Sequence, residues 1–423
     1  MTVAAFMDLA LYDAEFGYYA RAAQRSGRAG DFFTSVDVGP LFGALLAEQF
    51  TEMAHILAAP SERPFDLVEA GAGNGRLSTD VLTTLAADHP DVYVRTALHL
   101  VERSNAARAA QRETLGAHAD KLVSSSADLP DTFEGVLFAN ELLDAMPVHQ
   151  VVMREHGLRE VFVAGDMTTI EGEPSTPALA AYLSDAGVTL EPGWRVEINL
   201  AAAAWVRNAA RRLRRGFIVL VDYGHDAEEL YSVTHSSGTL TSFSQHAATG
   251  AESAPGVEPW LRNAGAQDIT AHVDFATVKR AAAEEGAETL AFLDQTYFVM
   301  GMIQGARGAQ GAQGAQGAQG AQGAQGAQGA QGAHGAQGAQ GAQGAQGAQG
   351  AQGARGARGA RGVQGARGAE RAGRAYWNDA RWARALKTLM MPGGLGSTMK
   401  VLILGKNVGT PRLAACSFRV RVT

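Results

Sequence analysis

The stretch FDLVEAGAGNGRLSTDVLTTLAADH, residues 65–89, decides how the rest of the chain reads. Its first six residues are a short apolar run of strand length. They pass without a spacer into Gly71, Gly73 and Gly75. Leu77, Val81, Leu82 and Leu85 then recur at helical spacing, up to the stop at Pro90. A strand, a glycine turn and a helix in this order form a ligand-binding turn. The glycines let backbone pass close to a ligand, and the helix start offers N–H groups to an anion.

Working outward, the same alternation repeats. TALHLVE (96–102) reads as a strand, followed by the helical pattern SNAARAAQRETL. GVLFAN (135–140) and FIVLVDYG (217–224) are further strands, the second preceded by the helix AAAAWVRNAARRLRR. Alternating strands and helices predict a parallel α/β sheet covered on both faces. Residues 1–60 read as helical, with Val3, Phe6, Met7 and Leu11, then Leu41, Leu45, Phe50 and Met53, at helical spacing. Residues 157–195 are less regular and suggest a small antiparallel excursion. Further on come the helix VDFATVKRAAAEEG, the strand ETLAFL and a last strand, MKVLILG (399–405).

Between those last two strands the composition changes. From Gly305 to Gly368 a glycine falls at every third position, which accounts for 22 of the 51 glycines. The tract is Gly-Ala-Gln repeated, without proline. It reads as a disordered repeat insertion, and a collagen-like triple helix is the rival reading. It holds five Arg and no acid, so the net charge of −7 becomes −12 for the rest of the chain. So acidic a body argues against nucleic-acid binding, which needs a basic face. One cysteine, Cys416, excludes a disulfide framework within the chain and a cysteine-rich zinc site. No apolar run approaches the ~20 residues of a membrane helix, and the start has no basic n-region.

Two ligand classes compete for the glycine turn. The dinucleotide fingerprint requires glycine where the chain has Arg76. The other pattern, Glu69-x-Gly71-x-Gly73-x-Gly75, places an acid two residues ahead of the first glycine. It resembles the turn of seven-stranded S-adenosylmethionine (SAM) methyltransferases, which faces the methionine part of SAM. Glu102 ends the second strand, where an acid accepts hydrogen bonds from ribose hydroxyls. Asp128, after the third strand, is expected near the adenine. The fourth strand runs into Asn140-Glu141-Leu142-Leu143-Asp144 at the ligand end of the sheet. Two carboxylates three residues apart there suit a guanidinium or amine acceptor, which they orient and whose proton they take up. The competing reading makes Asp144 a turn cap, with only Glu141 facing the site.

Taken together, FMDLALYDAEFGYYA, GDFFTS, LVEAGAGNGRLSTDVL, ANELLDAMPV, VLVDYGH, GTLTSFSQH, ITAHVDF and GLGSTMKVLILG resemble the MidA-like SAM-dependent methyltransferases. Mitochondrial members of that family assist assembly of respiratory complex I and act as protein-arginine methyltransferases. The resemblance covers residues 2 to about 303 and about 376 to 405. It implies a class I, Rossmann-like, seven-stranded fold with the last strand antiparallel and inserted beside the fifth. It also implies a further helix ahead of Thr2. On it, Gly30, Asp31 and Thr34 belong to a loop closing over SAM, with a surface turn as the alternative. Asp222, Tyr223 and Gly224 line an acceptor channel or form a buried turn. His246 assists proton removal or is structural.

The expected organisation is a helical cap (1–60), a methyltransferase domain (61–304), the repeat (305–373), a returning strand (374–406) and a tail (407–423). The expected catalytic residues are Glu141, Asp144 and His246. The expected SAM-binding residues are Glu69, Gly71, Gly73, Gly75, Glu102, Asp128, Asn140, Gly30, Asp31 and Thr34, with no metal. The expected acceptor is protein arginine, in a respiratory complex I subunit on the resemblance. A non-catalytic assembly factor and a small-molecule methyltransferase remain alternatives. A homodimer is compatible with this reading. The expected location is cytoplasmic for a bacterial chain, or the mitochondrial matrix for a eukaryotic one.

Overall fold

The computed structural model describes residues 1–20, 35–58, 64–244, 247–249, 258–304, 380–391 and 395–417. In chain order the strands are β1 (Phe65–Ala70), β2 (Thr96–Val101), β3 (Leu122–Ser126), β4 (Phe133–Asn140), β5 (His149–Arg154), β6 (Gly157–Val163), β7 (Thr169–Gly172) and β8 (Arg195–Ile198). They continue with β9 (Leu213–His225), β10 (Thr241–Ser244), β11 (Ala247–Thr249), β12 (Asp268–Thr270), β13 (Val273–Asp274), β14 (Glu288–Asp294) and β15 (Met399–Lys406). The principal helices are α1 (Val3–Tyr12), α2 (Leu41–Leu57), α3 (Arg76–Asp88), α4 (Pro90–Arg95), α5 (Asn105–Leu115), α6 (Ala178–Asp185), α7 (Leu200–Arg212), α8 (Ala227–Leu230) and α9 (Phe275–Ala283).

The main sheet runs β14-β15-β9-β4-β1-β2-β3, with the short β13 beside the end of β9. β3, β2, β1, β4 and β9 are parallel. β15 enters antiparallel to β9, with Met399 opposite Tyr223 and Lys406 opposite Gly216, and β14 closes the edge. The expected seven-stranded sheet with an inserted antiparallel last strand is therefore present.

Successive strand residues point to opposite faces, and each face has its own core. Leu67, Val136, Phe138, Val219 and Ile403 pack under α2 and α3, against Leu45, Phe50, Val81 and Leu82. Val68, Leu137, Ala139, Leu220 and Leu402 pack on the other face, under Val206 of α7 and Val278 of α9. Burial on both faces explains why these strands read as continuous apolar runs.

The excursion is an antiparallel sheet, β7-β6-β5-β8, which begins earlier than expected, at His149. α1 packs on it through Val3, Phe6 and Met7, against Val152, Val161 and Trp260. Two helix boundaries differ from the sequence reading. α7 stops at Arg212, and Leu213–Arg215 belong to β9, because pairing with Phe133 and Glu134 of β4 outweighs helix propensity. Pro90 does end α3, but it also opens α4 at the first helical position, where its missing N–H costs nothing.

β14 and β15 pair along their length although the repeat separates them in sequence. Loop closure costs only about 0.6 kcal/mol per doubling of length. Replacing Gly305–Gly368 with a short Gly/Ser linker is therefore expected to leave the melting temperature equal or slightly higher. Thermal unfolding of both forms checks this, and ultracentrifugation reads their oligomeric state. A trimer that dissociates on deletion would make the tract a collagen-like oligomerisation device instead.

Candidate active site

A cavity of about 440 Å³ opens at the carboxyl ends of β1, β2 and β4. Its wall includes the glycine turn, Val101 to Ser104, Asn140 to Leu142, Ala145 to Pro147, and Trp205 from α7. Tyr12 and Tyr19, from the N-terminal segment, cover one side. Trp205, from α7, thus has a face on the site.

The turn is left-handed at Gly71, Gly73 and Gly75, with φ of 70°, 51° and 86°. A Cβ on Gly73 would meet nothing within 4 Å, so at that residue the backbone faces open space. Most N–H groups of the turn are already used. Gly71 and Ala72 donate to the Val101 carbonyl at 2.9 and 3.1 Å, Gly75 to that of Ala72 at 2.8 Å. Gly73 donates to Glu102 Oε2 at 2.9 Å, and Arg76 to Asn74 Oδ1 at 3.3 Å. The anion cradle expected of a helix start is therefore largely closed here. A pyrophosphate needs such donors, whereas the methionine end of SAM does not need a ring of them.

Glu102 sits at the end of β2, as expected. Its Oε1 accepts from Ser104 N–H at 2.7 Å and its Oε2 from Gly73 N–H. Both oxygens are fixed by backbone and keep further lone pairs for a diol. Glu69 is buried and ties β1 to α3, accepting from both the amide and the hydroxyl of Ser78. Asn74 and Arg76 complete the turn, and Arg76 reaches Asp37 Oδ1 at 2.9 Å. Asp128 is exposed and stands outside the cavity wall; its neighbour Ala127 lines the wall.

Sequence reasoning missed Gln111. It is buried on α5, donates to the Gly73 carbonyl at 2.8 Å and accepts from Ser125 Oγ at 2.6 Å. It shares the apolar stripe of Ala107 and Leu115, and a polar residue on that stripe was the available signal. Arg103 was missed too. Its guanidinium lies 4.2 Å from the centre of the Tyr12 ring, and Tyr12 donates to the Ala145 carbonyl at 3.0 Å.

Beyond the glycine turn lies a nest of acids. Glu141 is left-handed, with φ of 52°, and its N–H donates to the Val221 carbonyl at 2.8 Å. Its Oε1 accepts from Asn140 Nδ2 at 2.9 Å and from Ser35 N–H at 3.4 Å. Asp222 is buried; its Oδ2 accepts from the amides of Leu142 and Leu143 and its Oδ1 from that of Tyr223. It holds the strand end after β4 in place and is not on the cavity wall, which matches the buried-turn alternative. Asp144 is 6% exposed, and its Oδ1 has no hydrogen-bond partner; the same holds for Asn140 Oδ1. Burial pushes Glu141 up to about 8 and Asp222 up to about 7. Burial first, then the charges of Asp222 and Glu141, raises Asp144 well above the usual carboxylate range. Among the described residues no Lys or Arg forms an ion pair with these three acids.

This geometry fits SAM on the chain's own evidence. The turn opens at Gly73, an anchored carboxylate stands where a ribose is held, and Asn140 offers a buried unpartnered acceptor on the wall. Gly30, Asp31, Thr34 and His246 lie outside the described residues.

The sheet order and the site together define a class I SAM-dependent methyltransferase. Residues 45–293 match the family described as "Putative S-adenosyl-L-methionine-dependent methyltransferase", and the chain belongs to that family. Residues 301–374 match the collagen triple helix repeat. The mouse mitochondrial protein arginine methyltransferase NDUFAF7 is 30% identical over 334 residues, which is 71% of this chain and 70% of that one. The Drosophila melanogaster homologue is 28% identical over 319 residues, 67% of each chain. A Burkholderia thailandensis crystal structure with bound S-adenosyl-homocysteine superposes with a TM-score of 0.70 at 25% identity, covering 99% of this chain and 90% of that one. No helix among the described residues is long and apolar enough to cross a membrane.

The buried Glu69 makes a pH test. Burial holds it up to about 8, against the pull of Ser78 toward the anion. Its folded pKa thus lies above the unfolded value of about 4.3. Its contribution to stability is fully present below that value and is lost as pH rises through about 8. The melting temperature should fall between pH 5 and pH 8, and Glu69→Gln should flatten the fall. One glutamine oxygen can still accept from Ser78. An unchanged slope in that variant, by calorimetry, would show that Glu69 is ionised throughout.

Proposed function

We propose that this chain methylates a guanidinium nitrogen of arginine in a protein acceptor. The observation that carries the reading is the acid nest: Glu141 on the cavity wall and Asp144 buried behind it have no basic partner among the described residues. A buried carboxylate lacking a cation is costly, and an incoming guanidinium repairs that deficit with a planar, bidentate match. The relatives named as protein arginine methyltransferases point the same way.

When bound, SAM supplies a methyl group on a positively charged sulfur. Gly71, Gly73 and Gly75 admit its methionine end, Glu102 holds its ribose hydroxyls, and Asn140 Oδ1 accepts from a polar hydrogen at the wall. Asp144 and Glu141 orient the guanidinium. The arriving cation favours the ionised form of Glu141, which then takes up the proton the nitrogen loses. Holding the nitrogen in line supplies much of the rate. As the resemblance implies, the acceptor is a respiratory complex I subunit and the location is mitochondrial in a eukaryote. In a bacterium the location is cytoplasmic.

Incubation with methyl-labelled SAM and cell extract tests this. A labelled protein band that yields methylarginine on acid hydrolysis supports it. Label only in a metabolite makes the chain a small-molecule methyltransferase. Bound SAM without transfer makes it an assembly factor.

A further inference from the structure

Three histidines meet near the end of β9, beside the short β13. His225 ends β9, His235 sits on the one-turn helix Val233–His235, and His272 directly precedes β13. One ring nitrogen from each lies within 4.8 Å of the other two. The ring centres are 4.9, 5.2 and 5.7 Å apart. We propose that His225, His235 and His272 bind a divalent transition-metal ion of the zinc class, with Glu229 as the fourth ligand.

Hydrogen bonding supports ligation. His272 Nδ1 is buried and has no hydrogen-bond partner, a costly state for an imidazole without a further function. His235 Nδ1 lies 3.1 Å from the Glu229 carbonyl oxygen. Donation there fixes the tautomer and leaves Nε2 as the lone-pair nitrogen, as is usual for metal-bound histidine. Glu229, four residues after His225 on α8, brings Oε1 to 3.0 Å from His225 Nδ1, which places a carboxylate at the edge of the cluster. Three imidazoles and one carboxylate suit zinc, whereas calcium and magnesium require mostly oxygen. A tetrahedral site needs ligand nitrogens about 3.3 Å apart, so from separations within 4.8 Å no pair need close by more than about 1.5 Å, through side-chain rotation.

The ion would join elements distant in sequence. β13 pairs with the end of β9, Val273 opposite Gly224. Ala271, adjacent to His272, donates its N–H to the Asp144 carbonyl at 2.9 Å. A metal here would brace the wall behind the acid nest without entering the cavity.

The test uses the full chain, stripped with chelator and dialysed. Titration with Zn²⁺ by calorimetry should show one ion per chain at micromolar affinity or tighter. Co²⁺ should give the intense visible absorption of a tetrahedral site. Zn²⁺ should also raise the melting temperature. His235→Ala, on a surface turn, should weaken binding at least 100-fold and abolish the Co²⁺ band, and His272→Ala should do the same if it folds. His156→Ala, at an exposed turn elsewhere, should bind like the parent. Absence of one-to-one binding by the parent chain would overturn the proposal. So would equal binding by His235→Ala and the parent, which would place the metal elsewhere.

Discussion

Glu141→Gln is expected to lower turnover about 10²-fold or more while leaving SAM affinity nearly unchanged. The substitution suits its surroundings. Both donors to Glu141, Asn140 Nδ2 and Ser35 N–H, point at the single oxygen Oε1. A glutamine can keep its own oxygen there and turn its amide away, so the local structure should survive. What it loses is the negative charge that holds a guanidinium and the capacity to take up its proton. Calorimetry with SAM and single-turnover label transfer separate the two effects. Asp144→Asn serves as a companion, because Asp144 Oδ1 is buried and unpartnered. Full activity in Glu141→Gln would move proton uptake to Asp144, and full activity in both variants would sink the guanidinium reading.

Substitution of Glu102 should strike binding instead. Glu102→Ala removes charge-assisted hydrogen bonds worth about 1.5–3 kcal/mol, which corresponds to SAM affinity weaker by roughly 10- to 150-fold. Unusually, Glu102→Gln should be nearly as damaging. Its two oxygens each face a backbone donor, Ser104 N–H and Gly73 N–H. A glutamine must therefore turn its amide against one of them. The two glutamates thus respond differently to the same exchange, for a reason visible only in their partners. Calorimetry on folded protein decides: affinity unchanged in Glu102→Ala would remove this residue from the site, and a mild Glu102→Gln would mean that the turn can shift to avoid the clash.

What the sequence determined by itself is local or periodic. The passage from β1 through Gly71, Gly73 and Gly75 into α3 depends on neighbours in the chain: an apolar run, left-handed glycines and a helical stripe. Arg76 in place of a glycine excluded the dinucleotide fingerprint without any contact information. Glu102 was legible because a strand end fixes where its side chain emerges. The repeat was legible from its period alone.

Tertiary structure decided the rest, because it depends on pairs far apart in the chain. Asp222 reaches back about 80 residues to the amides after β4, and nothing near it in sequence marks that contact. Gln111 joins Gly73 to Ser125 across three elements. Past the end of β3 it is Ala127 that lines the cavity, while Asp128 stands exposed outside the wall. The scarcity of free donors in the glycine turn followed from β2 lying alongside, where the Val101 carbonyl takes two of them. The histidines at 225, 235 and 272 carry no metal-binding spacing, and only the pairing of β13 with the end of β9 brings the first and last of them together. Side-chain chemistry is written locally, but which charges are left buried without partners is set by the whole packing, and that decides what the acid nest can hold.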